Sequence, residues 1–106
     1  MSNCGGAEPF ALQVLGDSME PEFPDGCIVI IEPTTSGCMS GTFVMAEYDD
    51  VRWFRLYHED EQGKKFLLPL NKSYPEIAIT EKFEVLGVII QRNIKRKVKH
   101  YHPKLH

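Results

Sequence analysis

Long hydrophobic stretches are missing from this chain. The longest unbroken apolar run, Cys27-Ile28-Val29-Ile30-Ile31, falls far short of the roughly 20 residues that a membrane-spanning helix needs, so no membrane association is expected. No basic-then-apolar leader with a small-residue cleavage site opens the sequence, and an export signal is not expected either. Cysteine is scarce. Cys4, Cys27 and Cys38 are an odd set that cannot all pair within one chain, and their spacings match no zinc pattern. A reducing, cytoplasmic setting suits that usage, with Cys27 a small buried thiol in a core strand. His100 and His102 would project to one side of an extended segment, but no third ligand falls in register, so no metal and no cofactor is expected. Internal repeats and low-complexity segments are absent as well.

What is present fits one small domain. Of 106 residues, 42% are hydrophobic and 25% charged, enough chain for a single core. The 7 prolines and 8 glycines break the apolar residues into short runs, which favours strands and turns over long helices. The net charge of -3 conceals an asymmetry. Residues 91–106 carry Arg92, Lys95, Arg96, Lys97, Lys99 and Lys104 without an acid, giving +6, while the rest carries 6 basic and 15 acidic side chains, giving -9. Blocks of like charge often form interaction arms. Here only Tyr101 is available to stack a base, and the acidic remainder would repel a phosphate backbone. The stretch Lys95–His106 is therefore read first as a solubilising tail, or one packed on the chain's own acidic surface, and only second as a nucleic-acid contact.

Taken in order, residues 1–8 read as a flexible N-terminal arm, residues 9–91 as the domain proper, and residues 92–106 as a basic C-terminal tail. Phe10, Leu12 and Val14 alternate with Ala11 and Gln13 as in a half-buried strand. Residues 27–31 read as a fully buried strand, residues 42–48 and 51–58 as a hairpin reversed at Asp49-Asp50. Residues 66–68 and 76–80 read as short strands, and residues 83–91 as the last long one. The expectation is a mainly β fold of about seven short strands with at most one or two short helical turns. Between the first two strands lies Gly16-Asp17-Ser18-Met19-Glu20-Pro21, closed by Pro24-Asp25-Gly26. Ser18 there is a good N-cap for one helical turn, with acids at the positive end of its dipole. The residues alone favour that cap over a nucleophile; a turn between rigid strands only makes an exposed hydroxyl possible.

Gly-Asp-Ser-Met-Glu-Pro, then Pro-Asp-Gly and an aliphatic strand, resembles the nucleophile segment of the LexA/UmuD-type serine peptidases, which belong with the signal peptidases to one superfamily. Four further segments resemble the same family in the same order: Phe10-Ala11-Leu12-Gln13-Val14 leading into the serine, Gly41-Thr42-Phe43-Val44-Met45-Ala46, the stretch from Leu68 to Ile77 with its Pro-x-Asn-x-x-Tyr-x-x-Ile pattern, and Phe83 to Ile90. The resemblance spans residues 9–90 and implies a compact, strongly bent arrangement of small sheets in a bacterial, cytoplasmic protein. It implies Ser18 as nucleophile, with Gly16, Asp17 and Met19 shaping the turn and backbone N–H groups near Ser18 as oxyanion donors.

In that family the base is a lysine on the strand after the reversal. Burial lowers its pKa until the neutral amine accepts the serine proton. Counting from Gly41 without a gap, the matching position here is Arg55; a register one residue shorter gives Phe54. Arginine stays protonated and cannot serve as a general base, although it can hydrogen-bond Ser18 or an oxyanion. Lys64, Lys65, Lys72 and Lys82 lie in turns or charged segments, and strand alternation turns His58 away from Arg55. Cys4-Gly5 has the chemistry of a family self-cleavage site, yet Ser18 follows Gly5 by only 13 positions. The helix-turn-helix domain of the repressors is not expected here. Three readings remain open: a serine endopeptidase whose activity Arg55 alters, a catalytically silent relative acting as a dimerisation or protein-binding module, and a nucleic-acid or acidic-partner binder acting through the tail. Relatives dimerise through this domain, and Val85 to Ile90 would supply either such a surface or an ordinary core strand.

Overall fold

The computed structural model describes residues 8–34 and 40–101. The arm's first seven residues, with Cys4-Gly5, lie outside the described residues, as do Cys38 and His102–His106. Among the described residues every regular element is a strand. They are β1 (Phe10–Gln13), β2 (Ile28–Pro33), β3 (Thr42–Tyr48), β4 (Val51–Glu59), β5 (Lys65–Leu68), β6 (Ile77–Ile79), β7 (Glu84–Ile94) and β8 (Lys97–His100). One more strand is present than the sequence suggests, because β7 runs on past Gln91 and returns as β8 through a turn at Lys95-Arg96. Part of the stretch read as tail is thus a hairpin.

All pairings are antiparallel, in the order β1-β2-β7-β3-β4-β5-β6, with β8 on β7. The long strand β7 is the spine: its first half pairs β3 and its second half pairs β2 and β8. Register shifts at Ile30/Ile31 and at Met45/Ala46 interrupt the ladders to β7 on either side, and such irregularities bend a sheet. Successive residues Val88 and Ile89 enter different core clusters, as strand alternation requires. One cluster gathers Val14, Met19, Phe23, Cys27, Val29, Ile31 and Ile89. The other gathers Val44, Ala46, Tyr57, Leu67 and Val88.

The strand expected to be buried throughout is not. Along β2, Val29 and Ile31 are buried while Ile28 and Ile30 are half-buried, because a β-branched run marks strand propensity without saying how many faces are covered. The hairpin of β3 and β4 reverses at Asp49-Asp50, with φ of 56° and 61°. Both central residues are left-handed there, the geometry that matches the twist of two joined strands.

Candidate functional site

The serine turn hangs between β1 and β2, held from inside by apolar anchors. Met19 and Phe23 are fully buried, and the Phe23 ring meets Phe43 and Phe54 edge-on at 4.8 and 5.0 Å. Ser18, one residue before an anchor, is thereby kept at the surface of the cluster. The turn is also tied at its ends. Gly16, at φ +91° where a side chain would be strained, donates its N–H to Asp25 Oδ1 at 2.7 Å. That N–H is engaged within the turn. The Phe23 N–H reaches the Met19 carbonyl at 2.9 Å, a single α-type turn, and the Glu20 N–H the Asp17 carbonyl at 3.2 Å; residues 18–22 are turns with no continuous helix, and Ser18 Oγ accepts from Arg55.

A second segment clamps the turn from above. The Asn71 N–H donates to the Ser18 carbonyl at 3.0 Å, and Asn71 Nδ2 to the Asp17 carbonyl at 3.1 Å. Tyr74 donates its hydroxyl to Asp17 Oδ1 at 2.5 Å. This bond, the larger cause, and the charge of Asp17 hold the Tyr74 phenol above its ordinary pKa. Asn71 is itself set by accepting the Ser73 N–H on Oδ1 at 2.9 Å.

Below Ser18 lies Arg55, in the middle of β4 opposite Val44. Arg55 Nη1 donates to Ser18 Oγ at 3.0 Å and to the Phe54 carbonyl at 2.8 Å. Its guanidinium carbon sits 5.2 Å from the centre of the Trp53 ring, a cation–π distance. Only 9% of Arg55 is exposed, and this burial pushes its pKa down. Its Nε is buried without a hydrogen-bond partner. The arginine and serine share a cleft of about 400 Å³ whose lining includes Leu12, Leu15, Met45, Arg52, Trp53 and Tyr74. Phe54, the alternative register for the base position, instead packs its ring on Phe23. His58 points elsewhere, with Nδ1 3.4 Å from Ser40 Oγ.

Sequence reasoning brought Ser18 and Arg55 to one place across 37 residues, and the structure puts them in contact. It did not find the clamp made by Asn71 and Tyr74, although the Pro-x-Asn-x-x-Tyr pattern contains both residues. It also missed Trp53 as the lid on the guanidinium; the alternation of Trp53 and Arg55 on one strand was the available signal. Among the described residues, no group of three or more His, Cys, Asp and Glu side chains converges as a metal site, and no helix is long and apolar enough to cross a membrane.

A bent antiparallel domain carrying a serine on a turn above a basic strand residue is a peptidase-like architecture. The family model described as Peptidase S24-like matches residues 3–90, and the chain belongs to that family. It is 37% identical over 90 residues to the HTH-type transcriptional regulator for conjugative element SXT of Vibrio cholerae, covering 77% of this chain and 40% of the regulator. The regulator for conjugative element pMERPH of Shewanella putrefaciens matches equally well. Repressor protein C2 of Salmonella phage P22 is 32% identical over 93 residues, covering 82% of this chain and 42% of the repressor. The chain thus spans about two-fifths of the length of these curated relatives.

Proposed function

We propose that this domain keeps the peptidase S24 scaffold for binding and regulation and does not itself cleave peptides. The observation that carries the reading is the Arg55 Nη1–Ser18 Oγ hydrogen bond of 3.0 Å. A serine hydroxyl becomes a nucleophile when a neighbour removes its proton. A guanidinium has no lone pair to accept that proton and stays charged throughout the accessible pH range. Donating to Ser18 Oγ, it also withdraws electron density from the oxygen that would attack. The similarity to proteins named as transcriptional regulators and a repressor supports a regulatory setting, in which a folded module that engages a protein segment or a second copy has a use without turnover. The working unit would be residues 9–91 together with the β7–β8 hairpin that continues the sheet.

The test is intact mass against time, from neutral to alkaline pH, with an added unstructured protein substrate. The native chain and Ser18→Ala should be equally silent. Arg55→Lys should gain cleavage that a second substitution, Ser18→Ala, removes, because a buried lysine can lose its proton. Cleavage by the native chain that Ser18→Ala abolishes would overturn the proposal.

A further inference from the structure

Arg55 is 9% exposed as a residue, yet the groups its guanidinium touches are neutral: a serine hydroxyl, a backbone carbonyl and an indole face. Among the described residues the ion pairs are those of Glu22 with Arg92 and Lys99, so no carboxylate answers Arg55. Buried charges are ordinarily paired, because removing a charge from water is costly without a counter-ion. One further donor, Nε, is buried without a partner. The positive charge lies at a cleft large enough for a short peptide, about 400 Å³, and Arg52 adds a second positive side chain to its lining. The walls around these two cations are mostly apolar: Leu12, Leu15, Met45, Trp53 and Phe54. Leu15 is 81% exposed and Leu12 36%, so part of that apolar surface stands open to solvent.

We infer that the cleft binds the carboxylate of an apolar peptide, with Arg55 as the cation that receives it. With Nη1 engaged by Ser18 and Phe54 and Nε buried, the remaining nitrogen, Nη2, would give a carboxylate one charge-assisted hydrogen bond, and the apolar walls take the neighbouring side chains. Phosphate satisfies the charge but leaves the walls uncovered. The inference goes beyond the absence of cleavage and does not depend on it, since a carboxylate would sit at this cation whether or not Ser18 reacts.

The single tryptophan of the chain, Trp53, lines the cleft and stacks on Arg55, so its fluorescence reports occupancy directly. The native chain is titrated with acetyl-Leu-Phe bearing a free carboxylate, with its C-terminal amide, with the amide of acetyl-Glu-Phe, and with inorganic phosphate. The free acid should bind at least about tenfold more tightly than its amide, a difference expected from one charge-assisted contact. Recovery of affinity by the glutamyl amide would assign the site to side-chain carboxylates, and its failure to chain termini. Arg55→Gln, checked for folding by its unfolding transition, should erase the preference for acid over amide. Equal affinity for acid and amide, no binding by either, or inorganic phosphate binding as tightly as the acid would each overturn the inference. Because these titrations read no hydrolysis, they can fail while the mass measurement succeeds, and the reverse.

Discussion

At the scale of single residues, the site is decided by what a guanidinium can and cannot do. Arg55 keeps its proton and supplies a hydrogen-bond donor to Ser18 Oγ at 3.0 Å. The residues that hold Ser18 in front of it act through hydrogen bonds made at long range in the chain. Asn71 alone makes two to the serine turn, one of them from its side chain. Asn71→Ala removes that side-chain bond and the one that sets its own loop, and should lower stability by about 1–2 kcal/mol, read as a shift in the urea midpoint at unchanged slope. The loss should not be restored by Asn71→Leu, which matches the shape without the donor. Ser18 and Arg55 were legible in the sequence because the motif and a count along one hairpin locate them. The Asp17–Tyr74 bond was not, since 57 residues separate its partners and no local pattern encodes a pairing between two loops.

At the scale of elements, two features fix how β7 meets its neighbours, one at the serine turn and one at β2. The first is Glu22, at the far end of the turn. Its Oε2 accepts from Lys99 Nζ at 2.7 Å, Tyr101 Oη at 2.6 Å and Arg92 Nη1 at 3.2 Å, and Arg92 also reaches the Glu22 carbonyl at 2.6 Å. The end of β7 and the β8 hairpin are thereby tied to the turn. These bonds, that from Lys99 foremost and that from Tyr101 next, hold the Glu22 carboxyl below its ordinary pKa of 4.5. A depressed folded pKa stabilises above the unfolded value, and that contribution disappears as pH falls through the folded one. Stability should therefore drop on acidification below pH 4.5, and Glu22→Gln should flatten that part of the profile in thermal unfolding. The second feature is Gly87 in β7. A Cβ there would lie 2.5 Å from Ile31 Cγ2 and 3.0 Å from the Glu32 carbonyl oxygen. Gly87→Ala should destabilise by about 1–3 kcal/mol through overpacking between β2 and β7, measured by urea unfolding.

The strands themselves were mostly readable. The hairpin of β3 and β4 falls where alternation and Asp49-Asp50 place it, and β5 and β6 lie within a residue or two of their apolar runs. The end of β7 was not, because Arg92, Asn93 and the lysines beyond look like solvated tail until Glu22 is brought beneath them. Charge content says that a segment is polar; it does not say whether its backbone is paired.

At the scale of the whole molecule, one spine strand joins two apolar clusters, and the serine turn belongs wholly to the first of them through Met19 and Phe23. The anchors of the turn are apolar and do not depend on the charge at position 55, so on the reading proposed above the family's architecture persists with an arginine at the base position. The basic hairpin is likewise engaged within the chain. Arg92 and Lys99 face Glu22 of their own chain, which leaves fewer cations for a phosphate backbone. Removing residues 97–106 should therefore change thermal stability far more than retention on duplex or single-stranded nucleic acid at low salt. A loss of retention without a loss of stability would argue the opposite. The central claim is that Ser18 is not activated, and covalent labelling tests it most directly. The native chain, Ser18→Ala and Arg55→Lys are exposed to a fluorophosphonate from neutral to alkaline pH, and the adduct is counted by intact mass. The account predicts no adduct on the native chain beyond that on Ser18→Ala, and a pH-dependent adduct at Ser18 in Arg55→Lys. Rapid labelling of Ser18 in the native chain would contradict it.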